Sequence, residues 1–431
     1  MLAKPANLDN PDVCSRAADA PLFFASSYAS MHLSDTHELP LGFRAAGVYS
    51  GVKRNAKKLD LSLIVSDVPC SAAGVYTTNR VFGAPIAWNR KLTPGSDLRA
   101  VAMNAGVANA CTGERGDDDA RQMASLAALT FNGQAEQVLV LSTGVIGAFL
   151  PMDKIAAGID LAAKDLATSP EALLAAARGI MTTDTVPKVS GRKLTLSGKA
   201  VHVTGLAKGA AMIAPRMATM LAVILTDASL PAEVAQEILA EAVDESFHCI
   251  SVDGHMSTSD AVLLLANGCA CASPPRPDDL QELRTAITEI CQDLARAIPA
   301  DGEGATHLVT IDIEGAADRA AARAIARTVA ESPLVKTAIA GADPNWGRIV
   351  SAVGYADVPL DPNQISLWIN DALIYENGAP VTIDEPRVSA SIKENRETRV
   401  RLVVGRGEAG TRFWTTDLTT EYVRLNADYR T

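Results

Sequence analysis

Apolar positions recur along the 431-residue chain with two different periods. Short runs that alternate, or are continuously apolar, predict β-strands at 59–67, 72–79, 98–106, 137–144, 261–266 and 308–313, and through Ile250-Ser251-Val252. The nine residues after Thr219, Met220 to Ala228, read as a fully buried strand. Spacings of three and four predict helices at 117–133, 153–167, 169–180, 231–245, 278–297 and 316–331. Three Asp crowd the positive end of the first of these, and Asn-Gly closes it. Residues 181–188, Met-Thr-Thr-Asp-Thr-Val-Pro-Lys, read as a loop. Several neighbouring elements are joined by hairpin-length links, which favours a mixed-sheet, layered α/β fold over a doubly wound one. Residues 1–37 show no sustained period and read as a peripheral extension.

Composition sharpens this picture. With 48% hydrophobic but only 4% aromatic residues, the core is built from Ala, Val, Leu and Ile, which suits closely packed layers. The balance of 39 basic against 50 acidic residues, with no long basic run, excludes the clustered cations that nucleic-acid binding requires. Seven Cys form an odd set with no C-x-x-C pair, so the expected compartment is reducing and neither a disulfide framework nor a zinc site is predicted. The N-terminus lacks a continuous apolar segment and no window reaches a membrane-spanning length, so a cytoplasmic protein without a membrane partner is expected.

Familiar catalytic signatures are missing. No G-x-S-x-G elbow, H-E-x-x-H pair or Walker loop occurs, and no metal is implied. Asp253-Gly-His255 and Glu303-x3-His307 read as polar loop residues at strand ends. Gly405-Arg-Gly407-Glu-Ala-Gly410 matches the dinucleotide fingerprint formally, but the alternating stretch after it predicts a strand rather than the required helix, hence a hairpin turn.

Thr219 stands at the head of the buried run, behind Gly209-Ala210-Ala211 and Ala218. A Thr hydroxyl needs an adjacent base, and the most economical one is an α-amine on the same residue. That requires a cut after Ala218, which self-processing by an N-to-O acyl shift and ester hydrolysis would supply. Spacing alone does not separate this reading from an ordinary Thr at a strand start.

The string 208-KGAAMIAPRMATMLAVILTDA-228 resembles the processing site of the ornithine acetyltransferase family, self-cleaving glutamate N-acetyltransferases of arginine biosynthesis. Further stretches resemble family motifs in family order: 42-GFRAAGVYSGVKRNAKKLDLSLIVSD-67, 77-TTNRVFGAP-85, 109-NACTG-113, 142-STGVIG-147, 182-TTDTVPK-188, 252-VDGHMSTSDAVLLLANG-268, 341-GADPNWGRI-349 and 426-NADYRT-431. The resemblance covers roughly residues 39–431. It implies a fold of the ornithine acetyltransferase / DmpA-like self-cleaving type, with 38–218 as one chain and 219–431 as the other, assembled as α2β2.

Thr219 would then carry the acyl group as an ester between two half-reactions, moving acetyl from N2-acetylornithine to glutamate. Thr143 and Gly144 match the family's oxyanion hole; on residue grounds they are equally a strand-end turn. Lys208, Thr182 and Glu303 match substrate contacts, although a strand-tip cation, a hydroxyl turn and a loop carboxylate are their plainer readings. Asn426 and Thr431 match contacts made by a chain end folded back into the cleft. No cofactor is required, and acetyl-CoA is possible as an alternative donor.

The chain departs from the family pattern at two places. Gly209-Ala210-Ala211 and Arg216 replace Gly-Ser-Gly and Asn, and His255-Met256 interrupt the Asp253 to Asp260 motif. These leave the donor and acceptor open to change. An amidase or aminopeptidase on the related fold and a non-catalytic amino-acid-binding paralogue are the rival readings.

Overall fold

The computed structural model describes residues 38–213, 220–271 and 275–428. Ala218, Thr219, Arg216, Thr431 and the extension 1–37 lie outside them.

Eight strands form the first sheet: β1 (Phe43–Val48), β2 (Leu61–Tyr76), β3 (Gly95–Val107), β4 (Val138–Val145), β5 (Lys188–Leu196), β6 (Lys199–Lys208), β7 (Leu221–Ala228) and β8 (Ala261–Cys271). Their order is β4-β3-β2-β8-β7-β6-β5, with β1 paired to β2. The pairs β3/β4 and β7/β8 are parallel and the rest antiparallel, so the sheet is mixed, as the sequence predicts.

The two strands expected at 59–67 and 72–79 are one bent strand. Leu61–Val65 pairs with β1 and β3, Ser71–Tyr76 pairs with β8, and the register shifts between them around exposed Pro69, which cannot donate to a ladder. The bend folds the sheet on itself. Val101, Met103, Leu139 and Leu141 on one half meet Val223, Leu225, Leu263 and Leu265 on the other in one apolar cluster. Alternate residues point outward, as the two-residue period of a strand demands. Ala100, Ala102, Val138 and Val140 pack under the helices Gly113–Ala128 and Met152–Asp165. Ala222, Ile224, Val262 and Leu264 pack under Ala232–Asp244 and Pro277–Ala300. The result is a helix–sheet–sheet–helix stack, in which every strand of the centre is buried on both faces; β7 is buried at all its positions.

The second sheet contains β9 (Leu308–Ala316), β10 (Ser366–Ile369), β11 (Ala372–Glu376), β12 (Ala379–Pro380), β13 (Glu397–Val403) and β14 (Ala409–Thr416), ordered β12-β11-β10-β13-β9-β14. The fingerprint-like glycines connect β13 to β14. They do not form a hairpin, because β9 lies between those strands, parallel to β13 and antiparallel to β14. Strand β14, not a helix, follows them directly, as the sequence predicts, so they make no dinucleotide site.

Ile250–Val252 is not a strand. A 3-10 turn at Phe247–Cys249 leads to a single bridge between Ile250 and Trp414, because the backbone there serves the loop at Met212–Ile213 instead. The helix expected at 117–133 starts at Gly113 and ends at Ala128, followed by a 3-10 turn. Among the described residues no helix is long and apolar enough to cross a membrane.

Candidate active site

Three strand ends converge where residue 220 enters β7. Lys208, the last residue of β6, is in register with Leu221, and Leu221 is in register with Ala261 at the start of β8. The Met220 N–H donates to Asp260 Oδ1 at 3.1 Å, and the Met220 carbonyl accepts the Ala261 N–H at 3.2 Å. Both the N–H and the carbonyl of Met220 are therefore held by the start of β8.

Lys208 is 2% exposed, and its Nζ donates to Thr143 Oγ1 at 3.3 Å. Burial lowers its pKa below 10.5; Asp184 opposes this, and Lys188 adds to it. With its oxygen accepting from an ammonium, the Thr143 hydroxyl has its own hydrogen to give to a developing negative charge. Gly144 follows at φ +132°, with a Cβ position that would fall on the Gly106 backbone, so only glycine fits this turn.

Asp184 organises the next layer. Its Oδ1 accepts from Lys188 Nζ at 2.8 Å and from the Gly209 N–H at 2.6 Å, and its Oδ2 accepts the Thr182 N–H at 3.0 Å. Burial by itself raises this carboxyl, but Lys188 and Lys208 outweigh burial and hold it far below the usual carboxylate range. Lys188 also reaches Asp301 Oδ2 at 2.7 Å; burial disfavours its charge, the two carboxylates prevail, and its pKa is raised. Thr182 is tied in a second way. Lys53 Nζ donates to the Met181 carbonyl and to the Leu59 carbonyl, both at 2.6 Å, and burial lowers its pKa to about 8.

The other rim is built from the second half of the chain. The Glu303 N–H donates to the Ala210 carbonyl at 3.0 Å, and Asn426 Nδ2 donates to Glu303 Oε2 at 3.0 Å. Asn426 belongs to the helix Thr420–Asp428, which lies directly on the glycines around Glu303: Thr419 Oγ1 donates to the Gly304 carbonyl at 2.6 Å, and a Cβ on Gly304, φ +65°, would collide with the Tyr422 backbone. Asp253 fixes the approach to the undescribed loop, accepting the N–H groups of Met212 and Ile213 at 2.7 and 2.9 Å and the Tyr422 hydroxyl at 3.1 Å.

Within the candidate site, Lys208 meets Thr143, with Gly144 behind it, Thr182 is tied to Asp184, and Asn426 holds Glu303. Asp184, Lys188, Asp301, Lys53 and Asp260 support the site and are not singled out by sequence reasoning. Asp184 and Lys188 stood four residues apart in the stretch read as a loop, and Asp260 heads an apolar run much as Thr219 does. His255 is exposed, its N–H on Asp253 Oδ1 at 3.1 Å, and the Met256 sulfur accepts the Thr78 hydroxyl at 3.7 Å. His307 turns away from Glu303 to Asp417 at 2.9 Å. Among the described residues no cluster of three or more His, Cys, Asp or Glu is placed to hold a metal ion.

The fold is a mixed-sheet α/β one in which a hydroxyl, buried cations and carboxylates gather at strand ends. The chain belongs to the ArgJ family, whose model matches residues 44–431. It is 45% identical over 399 residues to the arginine biosynthesis bifunctional protein ArgJ of Rhodopirellula baltica, covering 92% of this chain and 97% of that protein. The protein of the same name from Thermotoga neapolitana is 44% identical over 401 residues, covering 91% and 100%. Among solved structures the chain is similar to the arginine biosynthesis bifunctional protein argJ from Bacillus halodurans, at 35% identity and a TM-score of 0.47, covering 48% of this chain and 98% of that one.

Proposed function

We propose that this chain is a self-processing glutamate N-acetyltransferase of arginine biosynthesis, which moves an acetyl group from N2-acetylornithine to glutamate through an ester on Thr219. One observation carries the reading: buried Lys208, at the end of the strand beside residue 221, meets the Thr143 hydroxyl of β4. The names of the relatives, arginine biosynthesis proteins at 44–45% identity over nearly the whole chain, support it from a second direction.

In this reading the chain cuts itself between Ala218 and Thr219, and residues up to 218 and from 219 onward remain one folded unit, paired as α2β2. The new α-amine takes the proton of the Thr219 hydroxyl as Oγ attacks the acyl carbon. The oxyanion is met by the Thr143 O–H and the Gly144 N–H. Lys208 receives the substrate carboxylate, and Glu303, held by Asn426, faces the substrate's amino group. Collapse expels ornithine, which takes the proton from the α-ammonium. Glutamate then attacks the ester with its amine, and the same groups act in reverse to release N-acetylglutamate. Thr182 and Thr431 complete the substrate contacts. No metal or cofactor takes part, and the location is cytoplasmic. The relatives are named bifunctional, and offering acetyl-CoA as donor tests for a second activity here.

The test is the denatured intact mass of the purified protein beside Thr219→Ala, followed by acetyl transfer. Two species that sum to the full chain plus one water, an uncut variant, and N-acetylglutamate that grows with glutamate concentration are the expected results. Acetate release indifferent to glutamate would make the protein a hydrolase. An active but uncut parent would remove the α-amine, and with it this mechanism.

A further inference from the structure

The helix Thr420–Asp428, which carries Asn426, has nine residues and buries none of them completely. Tyr422 and Leu425 are half-buried and the rest are exposed. A helix this short is marginal in water unless tertiary contacts hold it, and apolar packing supplies little here. Its ties to the body of the molecule are polar instead. Thr419 Oγ1, which accepts the Tyr422 N–H at 3.2 Å, donates to the Gly304 carbonyl, and the Tyr422 hydroxyl donates to Asp253 Oδ2 at 3.1 Å. The ion pairs of Arg424, with Glu421 and Asp428, stay within the helix and anchor it to nothing else.

These ties close a ring. Asp253 Oδ2 accepts the Met212 N–H as well as the Tyr422 hydroxyl, and Oδ1 accepts the N–H groups of Ile213 and His255. Met212 is held at φ +57°, a left-handed conformation that a residue with a Cβ adopts only under restraint. On its other side Tyr422 offers its carbonyl to Asn426 Nδ2 at 3.0 Å, and the same amide group donates to Glu303 Oε2. The Glu303 N–H returns to the Ala210 carbonyl. The contacts thus run from residues 210–213 through Asp253, Tyr422, Asn426 and Glu303 and back to Ala210. Burial, with Asp253 beside it, raises the Tyr422 phenol well above its ordinary pKa, so the hydroxyl keeps its hydrogen at neutral pH.

We propose that Tyr422 is a positioning residue for substrate binding: its hydroxyl, docked on Asp253, pins the helix Thr420–Asp428 so that Asn426 keeps Glu303 in place to receive the substrate's amino group. The link to substrate rests on the functional reading above, whereas the docking of the helix does not. In this role Tyr422 takes no proton and acts through Asn426 and Glu303. With the helix pinned, the Glu303 side chain is ordered before substrate arrives, and the ordering cost is not charged to binding. Loss of the hydroxyl therefore weakens binding and leaves the chemical step alone, which reads as a raised KM at unchanged kcat.

The experiment compares the parent with Tyr422→Phe, Asn426→Ala and the double variant by amide hydrogen exchange, melting temperature, kcat and KM. Tyr422→Phe keeps the ring and removes only the hydroxyl. It is expected to melt within about 2 °C of the parent and to exchange the amides of residues 424–428 faster. Its KM for the amino-acid substrates is expected to rise about tenfold, with kcat within about twofold. Because both residues act on Glu303 through one chain of contacts, the double variant should be no worse than Asn426→Ala alone. Parental exchange and KM in Tyr422→Phe, a loss confined to kcat, or losses that add in the double variant each overturn the proposal. The parent supplies a check that does not depend on how any variant folds: amides 424–428 that exchange as fast as in a free peptide overturn it as well. If the parent transfers no acetyl group, the functional reading fails, and the exchange comparison still decides the docking; if the parent is active while Tyr422→Phe is parental in exchange and KM, only the role of Tyr422 falls.

Discussion

Two clusters of charge in this molecule differ in what surrounds them. On the second sheet, Arg399 and Arg412 each contact Asp312 at 2.7 Å and Arg401 contacts Glu314 at 2.7 Å, with arginine side chains 49%, 54% and 38% exposed. Water competes for these groups, and such pairs contribute little. At the strand ends of the first sheet, Lys188, Lys208, Asp184 and Asp260 are almost wholly buried. There one carboxylate governs two lysines with opposite outcomes: Lys188, clasped by Asp184 and Asp301, is raised, whereas burial leaves Lys208 lowered. Lys188 is locked between two carboxylates, and Lys208 stands beside the Thr143 hydroxyl. The lesson is that charge marks a site only where solvent is kept from it.

The largest effect that would test this contrast is on Asp184. Replacing it with Ala leaves Lys188 and Lys208 short of a buried counter-ion and is expected to cost about 3–5 kcal/mol at neutral pH, measured by urea unfolding. The sign with pH follows from the lowered folded pKa. The carboxylate's contribution is present above its ordinary pKa of about 4 and is lost as pH falls below that toward the folded value, so parent and variant converge in acid. Thr143→Ala comes next, with kcat lower by about 10²–10³ and folding nearly unchanged, since one oxyanion donor is gone; an unchanged kcat would place the oxyanion elsewhere. Lys208→Met is expected to raise KM for the amino-acid substrates on the order of 10²-fold, in proportion to a lost buried charge pair. In the parent, burial lowers the Lys208 pKa, so KM should climb at a lower alkaline pH than an exposed lysine gives, and the variant should lack that rise. Smallest of all, Arg401→Ala should leave kcat alone and shift the melting temperature by a degree or two at most. A larger shift would mean that its stacking on Trp368, at 4.5 Å, carries more than the ion pair does.

Much of this was legible along the chain. The buried strand after Thr219, the helices from Ala232 and from Pro277, and the mixed α/β layering followed from period and length, because a strand buried on both faces must be continuously apolar. The candidate site residues come from motif resemblance. Their supports do not, since Asp184, Lys188 and Asp301 look like any loop charges until the fold closes over them. The β5–β6 hairpin at 188–208 was also missed: its strands carry Arg, Lys and Thr on positions that face outward, which blurs the apolar period.

By itself the sequence determined most element types, the apolar layers and the position of Thr219 just ahead of a buried run, because these depend on local spacing and on the chemistry of single side chains. Tertiary structure alone decided which strand ends meet. The bend in β2 folds one half of the sheet over the other, and it brings Thr143 within 3.3 Å of Lys208, sixty-five positions away. Burial and mutual charge, which set the pKa shifts of Lys208, Lys188 and Asp184, exist only after that fold is made.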